Sequence, residues 1–183
     1  MIVAGVVVAV VVVAVVWAWV MYNRMIRGRT GVDGTWAQIE VELARRHDLI
    51  PNLLESVRGY AAHERSTFDS VTRARANALG ATGPVDRAEA EQSVSEALGR
   101  LLAVAESYPD LQADRSFAAL QTELAATEDR IAAARAAYND AVLGFNTMIQ
   151  RVPMNLMSGA MGMVTVAYFD LGAEPRDPMG VRF

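Results

Sequence analysis

A long apolar run opens the chain and sets it apart from the patterned sequence that follows. Between Ile2 and Met21 there is no charged residue and no proline. A helix rises about 1.5 Å per residue, so this run would span about 30 Å, the thickness of a bilayer's hydrocarbon core. Aromatic residues, which favour the membrane–water boundary, stand at its C-terminal edge: Trp17, Trp19 and Tyr22. The pattern predicts a transmembrane anchor over residues 1–22, in contact with the lipid bilayer through residues 2–22.

Two other interpretations of this run fit it less well. A cleaved signal peptide has a positively charged start and a shorter apolar stretch, whereas the first charge here follows the run. A helix of a soluble core would carry a polar face, which this run lacks. The first basic residues come directly after it: Arg24, Arg27 and Arg29. Because basic residues are retained in the cytoplasm, we expect a single-pass protein of the cell membrane, with its N-terminus outside and the bundle cytoplasmic.

Glycines punctuate the stretch that follows the anchor, at positions 28, 31 and 34. Each glycine costs a helix about 1 kcal/mol relative to alanine. This spacing predicts a flexible juxtamembrane neck over residues 23–34. A continuous helix that tolerates the glycines is the alternative.

From Trp36 onwards, apolar residues recur every seven positions, as in helices that pack side by side in a coiled coil. One row, which Glu64 interrupts, contains Trp36, Leu43, Ile50, Val57, Val71 and Ala78. A second row, which Arg46 and Thr67 interrupt, contains Ile39, Leu53, Tyr60 and Ala74. The rows predict a long helix over residues 35–79. Because Pro51 removes a backbone hydrogen bond, we expect a kink or break near Leu49 and Ile50.

Two further helices follow a connection that contains Gly80, Gly83 and Pro84. Asp86 and Glu89 match a capping box for the second helix. Its apolar row contains Val94, Leu98, Leu101, Ala105 and Tyr108. The third helix is predicted to begin at a cap, Asp114 or alternatively Ser116, and to stop at Pro153. Its two rows contain Phe117, Leu124, Ile131, Tyr138 and Phe145, beside Leu120, Ala134, Ala141 and Met148.

These elements together predict an all-α fold. It consists of the N-terminal transmembrane helix and an elongated antiparallel bundle of three long helices over residues 35–152. Residues 153–183 are predicted to form a short fourth C-terminal helix and then a loose tail from Glu174 to Phe183. The short helix is rich in methionine, since Met154, Met157 and Met161 share one helical face.

The composition excludes several classes of function but does not identify one. The net charge is −4, so no basic field favours nucleic acid as a partner. The chain has no cysteine, which excludes disulfides and thiolate metal sites. His47 and His63 would lie on nearly opposite faces of one helix and could not share a metal ion. Methionines 154, 157, 161 and 163 could bind a soft metal, but adaptable packing is the favoured interpretation. We therefore predict no catalytic, cofactor-binding or metal-binding residues.

Polar residues inside the apolar rows need partners. Arg46 could pair with acidic residues of the third helix, namely Glu123, Glu128 or Asp129. Asn139 and Asn146, one heptad apart on the third helix, could hydrogen-bond to neighbouring helices. We interpret these groups as devices that fix the register of the helices. A recognition surface for another protein is the alternative.

Several strings of the sequence together resemble the LemA family. They are Tyr22-Asn23-Arg24, Trp36-Ala37-Gln38-Ile39, Arg45-Arg46-His47-Asp48-Leu49-Ile50-Pro51-Asn52-Leu53, Gly59-Tyr60-Ala61-Ala62-His63-Glu64, Ala105-Glu106-Ser107-Tyr108-Pro109-Asp110-Leu111, Ala137-Tyr138-Asn139-Asp140-Ala141-Val142 and Tyr168-Phe169-Asp170. The resemblance implies a membrane-anchored helical-bundle protein, mainly of bacteria, in a family without an established enzymatic activity. One relative is associated with magnetosome membranes. The glycines of residues 23–34 depart from the family, where this region usually resembles a continuing helix.

Three functions are compatible with the sequence. The first is a scaffold or adaptor that presents an interaction surface at the membrane to an unidentified membrane or cytoplasmic protein, with self-association as a further possibility. The second is a sensor of membrane state or of an apolar ligand, which uses the bundle end and the Met-rich segment. The third, an enzyme of unrecognised type acting through His47 or Glu64, is not expected, because no nucleophile and base are paired in the sequence.

Overall fold

The chain is mostly helical in the part that the computed structural model describes, which is residues 2–61 and 63–170. Within these ranges there are six helices and no strand. In chain order they are α1 (Ile2–Arg58), α2 (Arg65–Gly80), α3 (Pro84–Ala105), α4 (Pro109–Gln112), α5 (Arg115–Gln150) and α6 (Met154–Ala160). The predicted all-α class is confirmed. The predicted tail from Glu174 to Phe183 lies outside the described residues.

α1 is a single helix of 57 residues that begins with the apolar run. Its most apolar stretch has a mean hydropathy of 2.9, and no other described residue buries any of it. A helix of this length and composition can cross a membrane. The N-terminal part of α1 is therefore a candidate membrane span, as the sequence predicts.

Residues 23–34 lie within α1, so the neck predicted there is corrected to the alternative, a continuous helix. The seven-residue row that contains Ile39 extends back through this stretch, because Val32 and Met25 are only 1% and 0% exposed. Gly28 permits a close approach: a Cβ atom there would lie 2.5 Å from Met148 Cε. One of the glycines is thus a packing residue, and burial of its neighbours offsets the propensity cost of all three.

The glycines of this stretch are expected to respond differently to replacement by alanine. Gly31→Ala and Gly34→Ala should each raise the free energy of unfolding by about 0.5–1 kcal/mol, because an added Cβ meets open space and alanine favours the helix. Gly28→Ala should gain less or lose stability, because Met148 must move. Thermal unfolding of the full chain in detergent, followed by circular dichroism, measures the difference. Equal gains at all three positions would contradict the close approach at Gly28.

The break in the first bundle helix is displaced from its predicted position. α1 continues through Pro51 and ends at Arg58, and α2 begins at Arg65. The helix predicted over residues 35–79 is therefore two helices. The break that was one of the two outcomes predicted near Leu49 and Ile50 lies instead after Arg58. The apolar row nevertheless continues across the break, since Val57 and Val71 are both buried. Burial of Ile50 and Leu53 on either side of Pro51 holds the helix together there.

The start of α3 also differs from the prediction. Pro84 occupies the first turn of the helix, and Gly83 precedes it with a φ of 80° that favours glycine. No side chain caps this end, so the capping box predicted at Asp86 and Glu89 is wrong. Proline, which lacks an N–H group, is tolerated at this position because the first N–H groups of a helix have no partner inside it.

α5 begins as the sequence predicts. Asp114 Oδ1 accepts hydrogen bonds from the backbone N–H groups of Ser116 and Phe117, at 2.7 and 3.3 Å. These bonds hold the pKa of the Asp114 carboxyl below its ordinary value. Asp114 is therefore the cap, and Ser116 is not. The predicted first row of the third helix is confirmed, since all its members are buried: Phe117, Leu124, Ile131, Tyr138 and Phe145.

The chain divides into two compact units. The first consists of Met1–Gln38 and Ala136–Val166. In it the rings of Trp36 and Tyr138 contact each other, with centroids 5.4 Å apart. Asn146 holds the segment that follows α6, because its side-chain amide donates to the Val166 carbonyl at 2.9 Å and accepts from the Val166 N–H at 2.8 Å. Asn146 thus orders a non-helical segment of the chain, so the prediction that it bonds to a neighbouring helix is corrected.

The second unit consists of Ile39–Arg135 and Ala167–Phe183. Its apolar core is drawn from the ends of α1 and α5 and from the helices between them. The buried members of the predicted α3 row belong to it: Val94, Leu98, Leu101 and Ala105.

Candidate functional site: a buried ionic cluster and a juxtamembrane cleft

The second unit holds three charged or titratable side chains that are almost completely buried. Arg46 and Glu91 are each 2% exposed, and His47 is 3% exposed. The two carboxylate oxygens of Glu91 serve different partners. Oε2 accepts from Arg46 Nη2, and Oε1 lies 2.8 Å from His47 Nε2. Because an ionised carboxylate only accepts, Nε2 carries the proton of this bond.

Arg46 has further partners at the edge of this cluster. Its Nη1 atom donates to Glu128 Oε1 at 2.8 Å and to Ser95 Oγ at 2.9 Å. Nη2 also donates to the Glu91 backbone carbonyl at 3.3 Å. We call the group formed by Arg46, His47, Glu91, Ser95 and Glu128 the ionic cluster. It joins α1, α3 and α5 by side-chain bonds.

Part of this arrangement is predicted by the sequence. Of the acidic residues proposed for Arg46, Glu128 is a partner, whereas Glu123 pairs with Arg130 at 2.9 Å. Asp129 is exposed. Glu91 was missed, although its spacing from Val94 and Leu98 places it on the buried face of α3. That spacing was the signal that could have found it.

The two histidines differ in their surroundings. His47 is buried at Glu91, and its backbone carbonyl accepts from Arg75 Nε at 3.0 Å. His63 is exposed, so the two imidazoles do not meet. Within residues 2–61 and 63–170, no three His, Asp or Glu side chains are grouped so that they could hold a metal ion. The ionic cluster therefore acts chemically as a set of paired charges.

The environment of Glu91 keeps it ionised. Burial alone would raise the pKa of its carboxyl, because the charged form loses its hydration. The hydrogen bond from His47 and the charge of Arg46 outweigh this effect, and the pKa lies below the ordinary value of 4.5. The folded protein thus binds a proton at Glu91 less readily than the unfolded chain does.

This difference makes stability depend on pH. The contribution of Glu91 is fully present above its ordinary pKa of 4.5 and is lost as the pH falls through the lower value of the folded state. We expect the denaturant midpoint of the full chain to fall between pH 5 and pH 3, and Glu91→Gln to flatten that fall. Glu89→Gln, an exposed change on the same helix, is the matched control and should keep the wild-type slope. Parallel slopes for wild type and Glu91→Gln would show that Glu91 is not the group responsible.

The first unit contains a cleft beside the end of the apolar run. Its volume is about 720 Å³. Two α1 residues, Met21 and Arg24, form one side of it. The remaining lining comes from α5, the connection after it and the start of α6: Asp140, Leu143, Gly144, Thr147, Met148, Arg151, Val152, Pro153 and Met154. We call this feature the juxtamembrane cleft.

Methionine, other apolar and charged side chains line the juxtamembrane cleft. Met21, Met148 and Met154 supply thioether side chains that adapt to the shape of an apolar ligand. Charged groups line it as well, with two arginines against one aspartate. Of the methionines that the sequence analysis singled out, Met154 lines the cleft, while Met157 and Met161 do not.

Sequence relationships agree with this fold. The sequence model of the LemA family matches residues 35–183. Magnetosome proteins MamQ 1 and MamQ 2 of Paramagnetospirillum magneticum are each 28% identical to the chain over 174 residues, which cover 81% of this chain and 64% of theirs. Protein LemA of Metamycoplasma hominis is 26% identical over 151 residues, which cover 80% of this chain and 68% of its own. The chain thus spans less than two thirds of the length of the MamQ proteins. Since the family match covers most of its length, the chain belongs to the LemA family.

Proposed function

We propose that this protein is a membrane-anchored scaffold that presents the surface of its helical bundle to another protein. The observation that carries the proposal is the continuity of α1, which contains both the apolar run and the core positions Ile39, Leu43 and Ile50. The helix that anchors the chain is therefore the helix that packs the core. The ionic cluster supports the same role, because paired buried charges fix the register of the helices and leave the outer face to vary.

The sidedness of the scaffold follows from the arginines after the anchor. We propose that the N-terminus lies outside the cell membrane and the bundle in the cytoplasm. The natural chain has no cysteine, so a single cysteine introduced at the exposed residue Ala103 shows on which side of the membrane the bundle lies. A membrane-impermeant maleimide should label it only after the cells are opened. Labelling in intact cells would place the bundle outside.

Photo-crosslinking in native membranes tests the scaffold role. The chain has no lysine, so amine-directed reagents would miss its surface. A photoreactive phenylalanine analogue is instead placed at exposed apolar positions of the bundle, Val41, Leu79 and Val85, and at Val11 of the apolar run as the matched control. We expect at least one bundle position to yield a crosslinked product of a single, reproducible mass. An excess of wild-type chain, which competes for the same partner, should suppress this product.

Two outcomes would contradict the scaffold proposal. The first is that no bundle position yields more protein adduct than Val11 does. The second is that every adduct contains two copies of this chain, which would indicate self-association.

A second candidate function is favoured by the juxtamembrane cleft. Its methionine lining and its position beside Met21 support a sensor of an apolar molecule or of membrane state. Such a sensor needs a ligand site at the bundle end, and this cleft offers one.

A further inference from the structure

We propose that the juxtamembrane cleft binds one anionic phospholipid from the leaflet that faces the bundle. The inference rests on the second candidate function, because it names the ligand of that site. Three features of the cleft support it: its height along α1, its exposed apolar lining and its charges.

The height of the cleft matches the boundary of a bilayer. Met21 is the last residue of the apolar run, and Arg24 follows three residues later, about 4.5 Å further along the helix. The aromatic residues Trp19 and Tyr22, which favour the interface, flank Met21 in sequence. With the run across the hydrocarbon core, Met21 meets acyl chains and Arg24 meets headgroups.

No part of the chain that the structure describes covers the apolar lining of the cleft. Leu143 is 55% exposed and Val152 is 78% exposed, although both line the cleft. Large apolar side chains at this height would be covered by a lipid acyl chain rather than by water. Gly144 lies beside Leu143 in the lining, and a Cβ atom there would meet nothing within 4 Å. The cleft thus has room for a flexible chain.

The charges of the cleft favour an anionic headgroup. Arg24 and Arg151 line it, and neither forms an ion pair with another residue within 2–61 or 63–170. Asp140 also lines it and opposes them, which leaves an excess of one positive charge. Guanidinium groups bind phosphate oxygens through paired N–H donors. A lipid with a net negative charge complements this site better than a zwitterionic one.

Native mass spectrometry of the full chain in detergent tests the proposal. The chain is mixed with equal amounts of phosphatidylglycerol and phosphatidylcholine, and the bound fraction of each is measured. We expect one phosphatidylglycerol to be retained in preference to phosphatidylcholine. Arg24→Gln and Arg151→Gln should each weaken this preference by about fivefold. One arginine contributes about 1 kcal/mol to binding at an anionic membrane surface, and this energy corresponds to about a fivefold change.

Two further variants separate the site from general effects. Arg27→Gln removes an arginine from the same stretch of α1 that does not line the cleft, so it should keep the wild-type preference. Gly144→Leu fills the cleft from a position with open space, and it replaces a glycine that disfavours the helix. It should therefore lose bound lipid while its thermal unfolding temperature is kept or raised.

Several outcomes would overturn the proposal. Equal retention of both lipids would show an apolar site without headgroup selection, which leaves the sensor function standing and removes the anionic ligand. No retained lipid, or retention that Gly144→Leu does not reduce, would remove the cleft as a ligand site and the sensor function with it. An equal loss in Arg27→Gln and Arg24→Gln would assign the effect to surface charge in general.

Discussion

Replacement of Glu91 by leucine is expected to lower the free energy of unfolding by about 3–5 kcal/mol, the cost of breaking a buried ion pair. Two polar groups lose their shared acceptor. Arg46 stays buried with only the partly exposed Glu128 as a charged partner, and the proton of His47 Nε2 has no acceptor. Denaturant unfolding of the full chain in detergent at pH 7, followed by circular dichroism, measures the loss.

Two comparisons make this result specific to the ionic cluster. Glu89→Leu removes an exposed carboxylate from the same helix and should change stability by about 0.5 kcal/mol or less. The double variant Arg46→Met with Glu91→Leu removes both buried charges and should recover part of the loss, because neither charge is left without its partner. The losses of the single variants Arg46→Met and Glu91→Leu are measured as well. If the loss of stability in the double variant equals their sum, the two residues act independently.

The apolar core should give an effect of similar size. Leu101 is 0% exposed and Leu79 is 53% exposed, on consecutive helices α3 and α2. Leu101→Ala removes methyl groups from a packed interior and leaves a cavity, so it is expected to cost about 2–5 kcal/mol. Leu79→Ala makes the same chemical change at the surface and should cost about 0.5 kcal/mol or less.

The same unfolding measurement checks this pair of variants. Equal effects of the two substitutions would mean that the seven-residue row of α3 does not face the core. A loss of cooperativity in Leu101→Ala, seen as a broadened transition, would extend the effect of this side chain beyond its own packing.

Much of the fold follows from the spacing of apolar residues. The α5 row from Phe117 to Phe145 and the α3 row from Val94 to Ala105 are buried as the heptads predict. Seven-residue spacing is a strong signal because it places every member on one side of a long helix. The cap at Asp114 also follows from the sequence, because a short acidic side chain before an apolar row accepts hydrogen bonds from the unpaired N–H groups of the first helical turn.

The errors lie where local propensity was weighed without tertiary packing. Pro51 predicted a break that the structure places after Arg58, and the glycines predicted a neck where Met25 and Val32 are buried. Propensity costs of about 1 kcal/mol per glycine are smaller than the gain of about 1.5–3 kcal/mol from burying one large apolar side chain. The sequence alone does not show which residues pack against the helix, so it cannot show whether burial outweighs the cost of the glycines.

The candidate sites were predictable to different degrees. An arginine in an apolar row implies a buried acid, and Glu128 was among the residues proposed for Arg46. Glu91 was hidden because charged residues surround it in the sequence, and only its spacing from Val94 reveals its side of the helix. The juxtamembrane cleft could not be found at all, since Met21 and Met148 come together only through tertiary packing.

The close approach at Gly28 and the ring contact at Trp36 together constrain the length of the chain beyond the anchor. Gly28 meets Met148, and Trp36 meets Tyr138, so one stretch of α1 is fastened to α5 at two points. One inserted residue between these points would swing one of them by about 100° around the helix axis, while seven would leave an offset of only about 20°. This segment therefore has a fixed angular phase. Because seven residues also lengthen this segment by about 10 Å, natural variation in its length should come in whole heptads with a matching heptad in α5, unlike the variation in a flexible tether.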